Sequence, residues 1–272
     1  MFEVSLLPKG LNSSLQARKW AEDRFNRALL LIADSTEPLL PYSRFWAVSR
    51  PASPDILGLA VRFEGFRQTV VSYAADNSDA ACELLRVACN NSSDAKTIIA
   101  VSADQELPDA FRSIPIDTID TWLTATCLSE SIAQREEVET LSDANSEEID
   151  AFYLQQGMHF WCPAMLRTGH YFGIRDVNGK LVCAAGVNFI LASQSYAQIG
   201  ALVTHPDYRG RSYASQVLQA IRLSLSRAGV RECGLFADGA NPDLPAFYSR
   251  RGFEARGKIR FIEHSGAHNI NV

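Results

Sequence analysis

The stretch Val203-Thr204-His205-Pro206-Asp207-Tyr208-Arg209-Gly210-Arg211-Ser212-Tyr213-Ala214 decides how this chain is read. Just upstream, Ile199–Val203 is an apolar run with the build of a strand. His205-Pro206 stops it, because proline has no N–H to give to a ladder. Downstream, the basic turn Arg209-Gly210-Arg211 opens an amphipathic segment with Ala214, Val217, Leu218, Ile221 and Leu225 on one face. That spacing predicts a helix over 210–228, with Gly229 as its terminator. A strand, a short basic turn and a helix N-terminus, in that order, make a place for a phosphate. The first N–H groups of a helix have no internal partners, and the helix dipole adds partial positive charge there.

A second pattern lies further on. Asn241, Tyr248, Gly252 and Phe253 fall at the spacing N-x6-Y-x3-G-F, and Arg209–Ala214 follows Q/R-x-x-G-x-G/A except at Ser212. Carrying both in this order, the chain resembles the GNAT superfamily of N-acetyltransferases over residues 134–263. The resemblance implies an α+β fold, a mixed, mainly antiparallel sheet flanked by helices, and acetyl-CoA as co-substrate with no metal. It implies that backbone N–H groups of Gly210, Arg211, Ser212, Tyr213 and Ala214, with Arg209 beside them, cradle the pyrophosphate. The backbone of Leu202, Val203 and Thr204 would hold the pantetheine arm and polarise the thioester carbonyl, as an oxyanion hole does. Tyr248 would be the general acid for the departing thiolate, and its ordinary pKa of about 10 keeps it protonated at neutral pH. Packing with Leu244, Phe247 and Phe253 on one helical face is its competing role. Asn241 would cap the short helix that follows it or contact the pantetheine.

Two positions depart from the family pattern. Ser212 stands where the family has glycine. With the helix read as 210–228, Ser212 lies at its N-terminus, where φ is negative, so serine is unstrained there. Gln198 stands on the strand where many relatives place a glutamate that relays the amine's proton, and glutamine takes up no proton. Water and backbone, Glu232 or His205 are the alternatives for a base. Trp161, Tyr171 and Phe172, with His159 and His170, are candidates to line an acceptor pocket, with core or surface roles as the competing reading for each.

The rest of the chain fits around this. At 272 residues, 47% apolar and 21% charged, with net charge −5, it has the composition of a soluble globular protein of one or two domains. No block of basic residues suggests nucleic acid or an anionic membrane, and no stretch reads as a signal peptide or membrane span. Six cysteines without a C-x-x-C pair read as reduced core residues of a cytoplasmic protein.

In order, the patterns predict a helix over 13–33, with Ser13 and Gln16 at capping-box spacing, strands over 44–50, 56–64 and 66–73, and a helix over 78–90 with Ala81, Leu84, Leu85 and Ala88 on one face. A strand over 97–101, a helix over 104–112 and a strand over 117–127 follow. The second half repeats this: a helix over 145–156, strands over 171–176, 181–190 and 195–203, with Asn178-Gly179 as a hairpin turn between the first two, and the long helix. A strand over 232–237, a helix over 243–251 and a strand over 253–263 complete it, and the tail beyond reads as frayed. The repetition, offset by about 130 residues, suggests two tandem copies of one fold. The boundaries are then 1–128 for the first, a linker over 129–139 and 140–272 for the second; an unrelated α/β domain is the alternative for the first. Where the second copy has its basic turn, the first has Ala74-Ala75-Asp76-Asn77-Ser78-Asp79, whose carboxylates disfavour a phosphate. That makes the first copy degenerate.

The functional expectation is direct transfer of an acetyl group from acetyl-CoA to an amine, small-molecule or peptide, by a monomer or homodimer. The rivals are an acyl-CoA-binding regulatory or scaffold protein without catalysis, and an acyltransferase with a different donor or acceptor.

Overall fold

The computed structural model describes residues 2–53, 55–90, 96–109, 118–128 and 137–265. The expected linker falls mainly on residues 129–136, which with residues 110–112 and the tail from residue 266 lie outside the described residues; of the helix expected over 104–112, residues 104–108 are turn and loop instead. The chain forms two compact units that are not contiguous in sequence. Residues 1–122, 237–245 and 256–272 make up unit 1, and residues 123–236 and 246–255 make up unit 2.

Unit 1 begins with strand β1 (Glu3–Leu11), which the sequence reading missed. Pro8 and Gly10 obscure its pattern, and proline is tolerated because β1 pairs only with β2 (Ser43–Ser49), over Glu3–Leu7, as an edge strand. The single helix expected over 13–33 is two, α1 (Leu15–Glu22) and α2 (Phe25–Asp34). Ser14 rather than Ser13 caps the first, accepting from the Ala17 N–H at 3.2 Å. The break comes at Arg24, whose φ of −118° leaves the helix while its guanidinium stacks 4.2 Å from the Trp20 ring. Strands β2, β3 (Ile56–Phe63) and β4 (Thr69–Ala75) form an antiparallel run. Helix α3 (Ser78–Cys89) then crosses back to β5 (Lys96–Ser102), which is parallel to β4.

The helical stripe predicted for α3 is its buried face: Ala81, Leu84, Leu85 and Ala88 pack with Val71, Tyr73, Ile99 and Val101. Burying a leucine contributes about 1.5–3 kcal/mol, so this face fixes the helix on the sheet. Ile262, in the same core, comes from the far end of the chain, strand β12 (Glu254–Ser265), which pairs antiparallel with β5. The strand order of unit 1 is therefore β1-β2-β3-β4-β5-β12, followed by the first half of β6 (Thr118–Thr126).

Unit 2 repeats the pattern: β7 (Glu139–Leu141), α4 (Ser146–Gln155), β8 (Tyr171–Arg175), β9 (Leu181–Leu191), β10 (Tyr196–Thr204), α5 (Tyr213–Arg227) and β11 (Glu232–Ala237). Helix α6 (Asp243–Ser249) follows. The Asn178-Gly179 hairpin forms as expected, with Gly179 at φ 79° and the Asp176 carboxylate accepting from the Asn178 and Lys180 N–H groups. The strand order is the second half of β6, then β11-β10-β9-β8-β7. Val217, Leu218, Ile221 and Leu225 of α5 are buried, as the stripe predicted.

In each unit the sixth strand comes from the other half of the sequence: β12 beside β5, and β6 beside β11. Neither linear half carries all its own strands. The result is an α+β fold with a mainly antiparallel sheet and a repeated element order. Among the described residues no helix is long and apolar enough to cross a membrane.

Candidate functional site

The site in unit 2 starts from a strand that leaves its neighbour. β10 runs parallel to β11 only where Tyr196, Ala197 and Gln198 face Glu232, Cys233 and Gly234. On its other edge, β10 stays in register with β9 through two irregularities. At the second, Ala201 and Leu202 stand between the pairs Gly200–Gly186 and Val203–Ala184, against the single residue Ala185. Such a bulge bends a strand and re-aims its backbone groups. Ala201 carries it with φ 52°, a left-handed conformation unusual for alanine. A Cβ on Gly200 beside it would lie 2.3 Å from the Asn188 side chain, which would have to move. Leu202, Val203 and Thr204 follow as a half-buried strand end.

His205 closes the strand by donating its N–H to the Val182 carbonyl at 2.8 Å, and Pro206–Tyr208 makes one 3-10 turn. Tyr208 is tied down by its hydroxyl, which donates to Asp176 Oδ2 at 2.7 Å, and Arg211 lies 5.1 Å from its ring. That hydrogen bond holds the Asp176 carboxyl below its ordinary pKa. Arg209 reaches back to the Thr204 carbonyl at 3.3 Å, and both arginines are exposed. Gly210 has φ 77° and Ser212 φ 64°. α5 begins at Tyr213, not at Gly210, and no side chain caps it. Tyr213 and Ala214 are half-buried in its first turn.

The expectation for Ser212 is corrected here. It is the residue before the helix, in the left-handed region, not an unstrained first helical residue. The family's glycine preference is explained by this φ, and serine retains the geometry at a backbone cost.

Tyr248 is 6% exposed and packs edge-on against Phe247 (5.0 Å) and Phe253 (5.7 Å). Burial pushes its pKa up to about 12, with the Arg251 guanidinium pulling the other way. Arg251, which the sequence reading did not single out, joins the helix of Tyr248 to the first turn of α5. Its Nε donates to Ser215 Oγ at 3.0 Å, its Nη2 donates to the same oxygen, and its Nη1 donates to the Phe247 carbonyl at 2.5 Å. Its guanidinium also stacks 3.6 Å from the Phe247 ring. The i,i+3 spacing from Tyr248 was the available signal. Asn241 belongs to a segment of unit 1; its Oδ1 accepts from the Asp243 N–H at 3.1 Å, which is the capping role.

Gln198 is 1% exposed. Its Oε1 accepts from the Tyr196 hydroxyl, and its Nε2 is buried with no hydrogen-bond partner. Of the alternative bases, His205 is partly exposed and its Nδ1 accepts from the Asp207 N–H at 3.4 Å, and Glu232 is half-buried at the start of β11. Among the aromatic candidates, Trp161, Tyr171 and Phe172 are buried, and Trp161 packs 5.4 Å from Tyr153. His170 Nδ1 lies 2.8 Å from Ser224 Oγ, with its pKa lowered by burial, whereas His159 is exposed.

Comparison with known proteins gives a consistent picture. Residues 131–253, a little under half of the chain, match the model of the acetyltransferase (GNAT) family. Among curated proteins none matches the chain. Among solved structures, a GCN5-related N-acetyltransferase from Sphaerobacter thermophilus is similar over 97% of this chain and 95% of its own, at 14% identity and a TM-score of 0.62. An acetyltransferase of the GNAT family from Colwellia psychrerythraea covers 96% and 99%, at 13% identity and a TM-score of 0.58. A tandem GNAT protein from the clavulanic acid biosynthesis pathway covers 96% and 98%, at 15% identity and a TM-score of 0.56. At these identities the structures speak for the fold, and the whole chain, not one half, takes part in it. The family model's match spans the stretch that holds the splayed strand, the uncapped helix and Tyr248, so that residues 131–253 are similar to the acetyltransferase (GNAT) family.

Proposed function

We propose that this protein is an N-acetyltransferase that moves the acetyl group of acetyl-CoA directly to an amine, small-molecule or peptide, in a ternary complex. One observation carries the proposal. A helix N-terminus with no side-chain cap follows two exposed arginines, at the end of a strand that has parted from its parallel neighbour. Uncapped N–H groups and two guanidiniums fit a pyrophosphate, so the residues present suit the co-substrate. Arg209, Gly210, Arg211, Ser212, Tyr213 and Ala214 would hold its phosphates, and Leu202, Val203 and Thr204 its pantetheine arm. When bound, acetyl-CoA supplies an activated acetyl thioester. Tyr248 holds a proton at its hydroxyl, and the raised pKa keeps it there well above neutral pH. Arg251 fixes the helix of Tyr248 to the first turn of α5. The amine's own proton passes to water or to a base other than Gln198.

The test is calorimetric titration of acetyl-CoA into the wild type, Arg209→Glu and Arg211→Glu. Binding should weaken about 100-fold in each charge reversal, which is about 2.7 kcal/mol. A wild type that does not bind, or reversals that bind equally well, would overturn the proposal. With binding in hand, thiol release over a panel of amines reads turnover, and Tyr248→Phe should slow it about 100-fold without weakening binding. Because the tyrosine stays protonated until pH nears 12, its ionisation should produce no alkaline fall in rate below about pH 10.

A second reading, an acyl-CoA-binding protein without catalysis, is favoured by Gln198 standing where a proton acceptor would serve. Binding that the arginine reversals abolish, without thiol release for any amine, would select it. Release with a longer acyl-CoA or a hydroxyl acceptor would instead select the different-substrate reading.

A further inference from the structure

Away from the strand–turn–helix site, unit 2 brings two thiols together where β6 ends and β11 begins. The Cys127 N–H donates to the Arg231 carbonyl at 2.8 Å, and the Cys233 sulfur lies 3.5 Å from the Ala125 carbonyl. Cys127 beside Arg231 and Ala125 beside Cys233 make the two cysteines diagonal neighbours on adjacent strands.

Access and charge differ between the pair. Cys127 is half-buried, whereas Cys233 is fully enclosed. Arg222 of α5 comes in beside them, 7% exposed, donating 2.6 Å hydrogen bonds to the Thr126 and Arg251 carbonyls. Its Nε is buried without a partner, and among the described residues no carboxylate forms an ion pair with it. The neighbouring Cys233 thiol lowers the Cys127 pKa, and the guanidinium lowers it further, against burial and the Glu232 charge. The Cys233 thiol is pushed far up by its Cys127 neighbour and by burial. Cys82, Cys89 and Cys183 are all raised, chiefly by burial. A half-accessible thiol beside a cation, with a second thiol diagonally across from it on the adjacent strand, is the arrangement of a peroxide-reactive cysteine and its resolving partner.

We propose that Cys127 and Cys233 are a reversible oxidation site, Cys127 reacting with a hydroperoxide and Cys233 closing the disulfide. The Cys127 thiolate attacks one peroxide oxygen: an S–O bond forms, the O–O bond breaks, and the departing oxygen leaves as water after taking up a proton. Cys127 is then a sulfenic acid. The Cys233 sulfur, losing its proton, attacks the Cys127 sulfur; an S–S bond forms, the S–O bond breaks and a second water leaves. Two thiols and one hydrogen peroxide give one disulfide and two waters. The closed bond ties β11 to its neighbour β6, and a dithiol reductant reopens it. This site is independent of the proposed acetyl transfer.

The test uses the full-length protein, reduced, freed of reductant and exposed to a small excess of hydrogen peroxide. Intact mass should fall by two hydrogens and return on adding dithiothreitol, and non-reducing peptide mapping should join the Cys127 and Cys233 peptides. In Cys233→Ser, Cys127 should instead gain oxygen and be trapped by dimedone; in Cys127→Ser the linked peptide should vanish and Cys233 stay a thiol. Cys82→Ser serves as the control and should behave as wild type. A disulfide joining other cysteines would overturn the proposal, as would Cys127 over-oxidising as fast in wild type as in Cys233→Ser. Maleimide labelling of the folded wild type gives a check that needs no variant: Cys127 should label several-fold faster than Cys233 before peroxide and not at all after it. Equal labelling before and after peroxide would sink the idea.

Discussion

The two strand–turn–helix junctions of the molecule share one topology and have opposite endings. In unit 2, β10 bulges at Ala201 and Leu202, leaves β11 after Gln198, and reaches a helix with no cap. In unit 1, β4 keeps a continuous register with β3 from Val70 to Ala75. The next helix is closed by its own sequence, since Asn77 Oδ1 accepts from the Ala80 N–H at 2.9 Å. The preceding carboxylate, Asp76, is held by Arg24 at 3.0 Å and by the Trp20 indole N–H at 3.4 Å. The strand end is filled as well. Gln105, 4% exposed, accepts from the Ala75 N–H at 3.1 Å, and the Tyr73 hydroxyl donates to the Glu106 carbonyl at 3.1 Å. A helix N-terminus serves a ligand only while its N–H groups are left to it. Unit 1 satisfies from within the groups that unit 2 leaves open, and the difference lies in a few side chains, not in the fold.

The sharpest way to break this contrast is at Gln105. Replacing it by alanine strands the Ala75 N–H in the core, which costs about 1–3 kcal/mol. Gln105→Ala should lower the chemical-denaturation midpoint accordingly and leave acetyl-CoA binding, a property assigned to unit 2, unchanged. A variant as stable as wild type would mean that Gln105 does not close the strand end. Weakened acetyl-CoA binding would mean that unit 1 takes part in the site.

A smaller effect tests the two caps with one substitution. Asn77→Ala removes a side chain that accepts from a helix N–H, and such losses cost about 1 kcal/mol. Ser212→Ala occupies the equivalent position but makes no cap hydrogen bond, so its cost on that ground should be near zero. Parallel denaturation curves should therefore separate the two variants. Equal losses would show that Ser212 caps its helix after all, and the argument for free N–H groups would fall.

What the sequence made legible follows from range. The apolar stripes of α3 and α5, the Asn178-Gly179 hairpin and the Gly229 terminator are local patterns, and each sits as expected. The repeat of element order was legible for the same reason. The exchange of β6 and β12 was not, because strand partners far apart in sequence leave no local mark. The split of the first helix at Arg24 depends on Trp20 and on Asp76, a residue of the distant turn. At the site, the residue types of Arg209–Ala214 and Tyr248 stood out, but their backbone did not. The bulge at Ala201 needs the register with β9, and the left-handed φ of Ser212 needs the actual start of α5.

That φ supplies the last and most informative test. A serine at φ 64° sits where its Cβ crowds the backbone, and a non-glycine residue in this region costs about 1–3 kcal/mol. Glycine relieves the crowding but gives the unfolded chain more freedom, which offsets about 0.4–1 kcal/mol of the gain. Ser212→Gly should therefore stabilise the protein, by between about zero and about 2.6 kcal/mol. If backbone N–H groups hold the phosphates, acetyl-CoA affinity should be kept, because the turn already has the conformation glycine favours. A variant more stable but weaker in binding would assign the phosphate contact to the serine hydroxyl, and the basis of the site would shift from main chain to side chain. A variant less stable than wild type would instead mean that the hydroxyl does something for the helix that its geometry here does not reveal, and the contrast between the capped and the open junction would have to be drawn again.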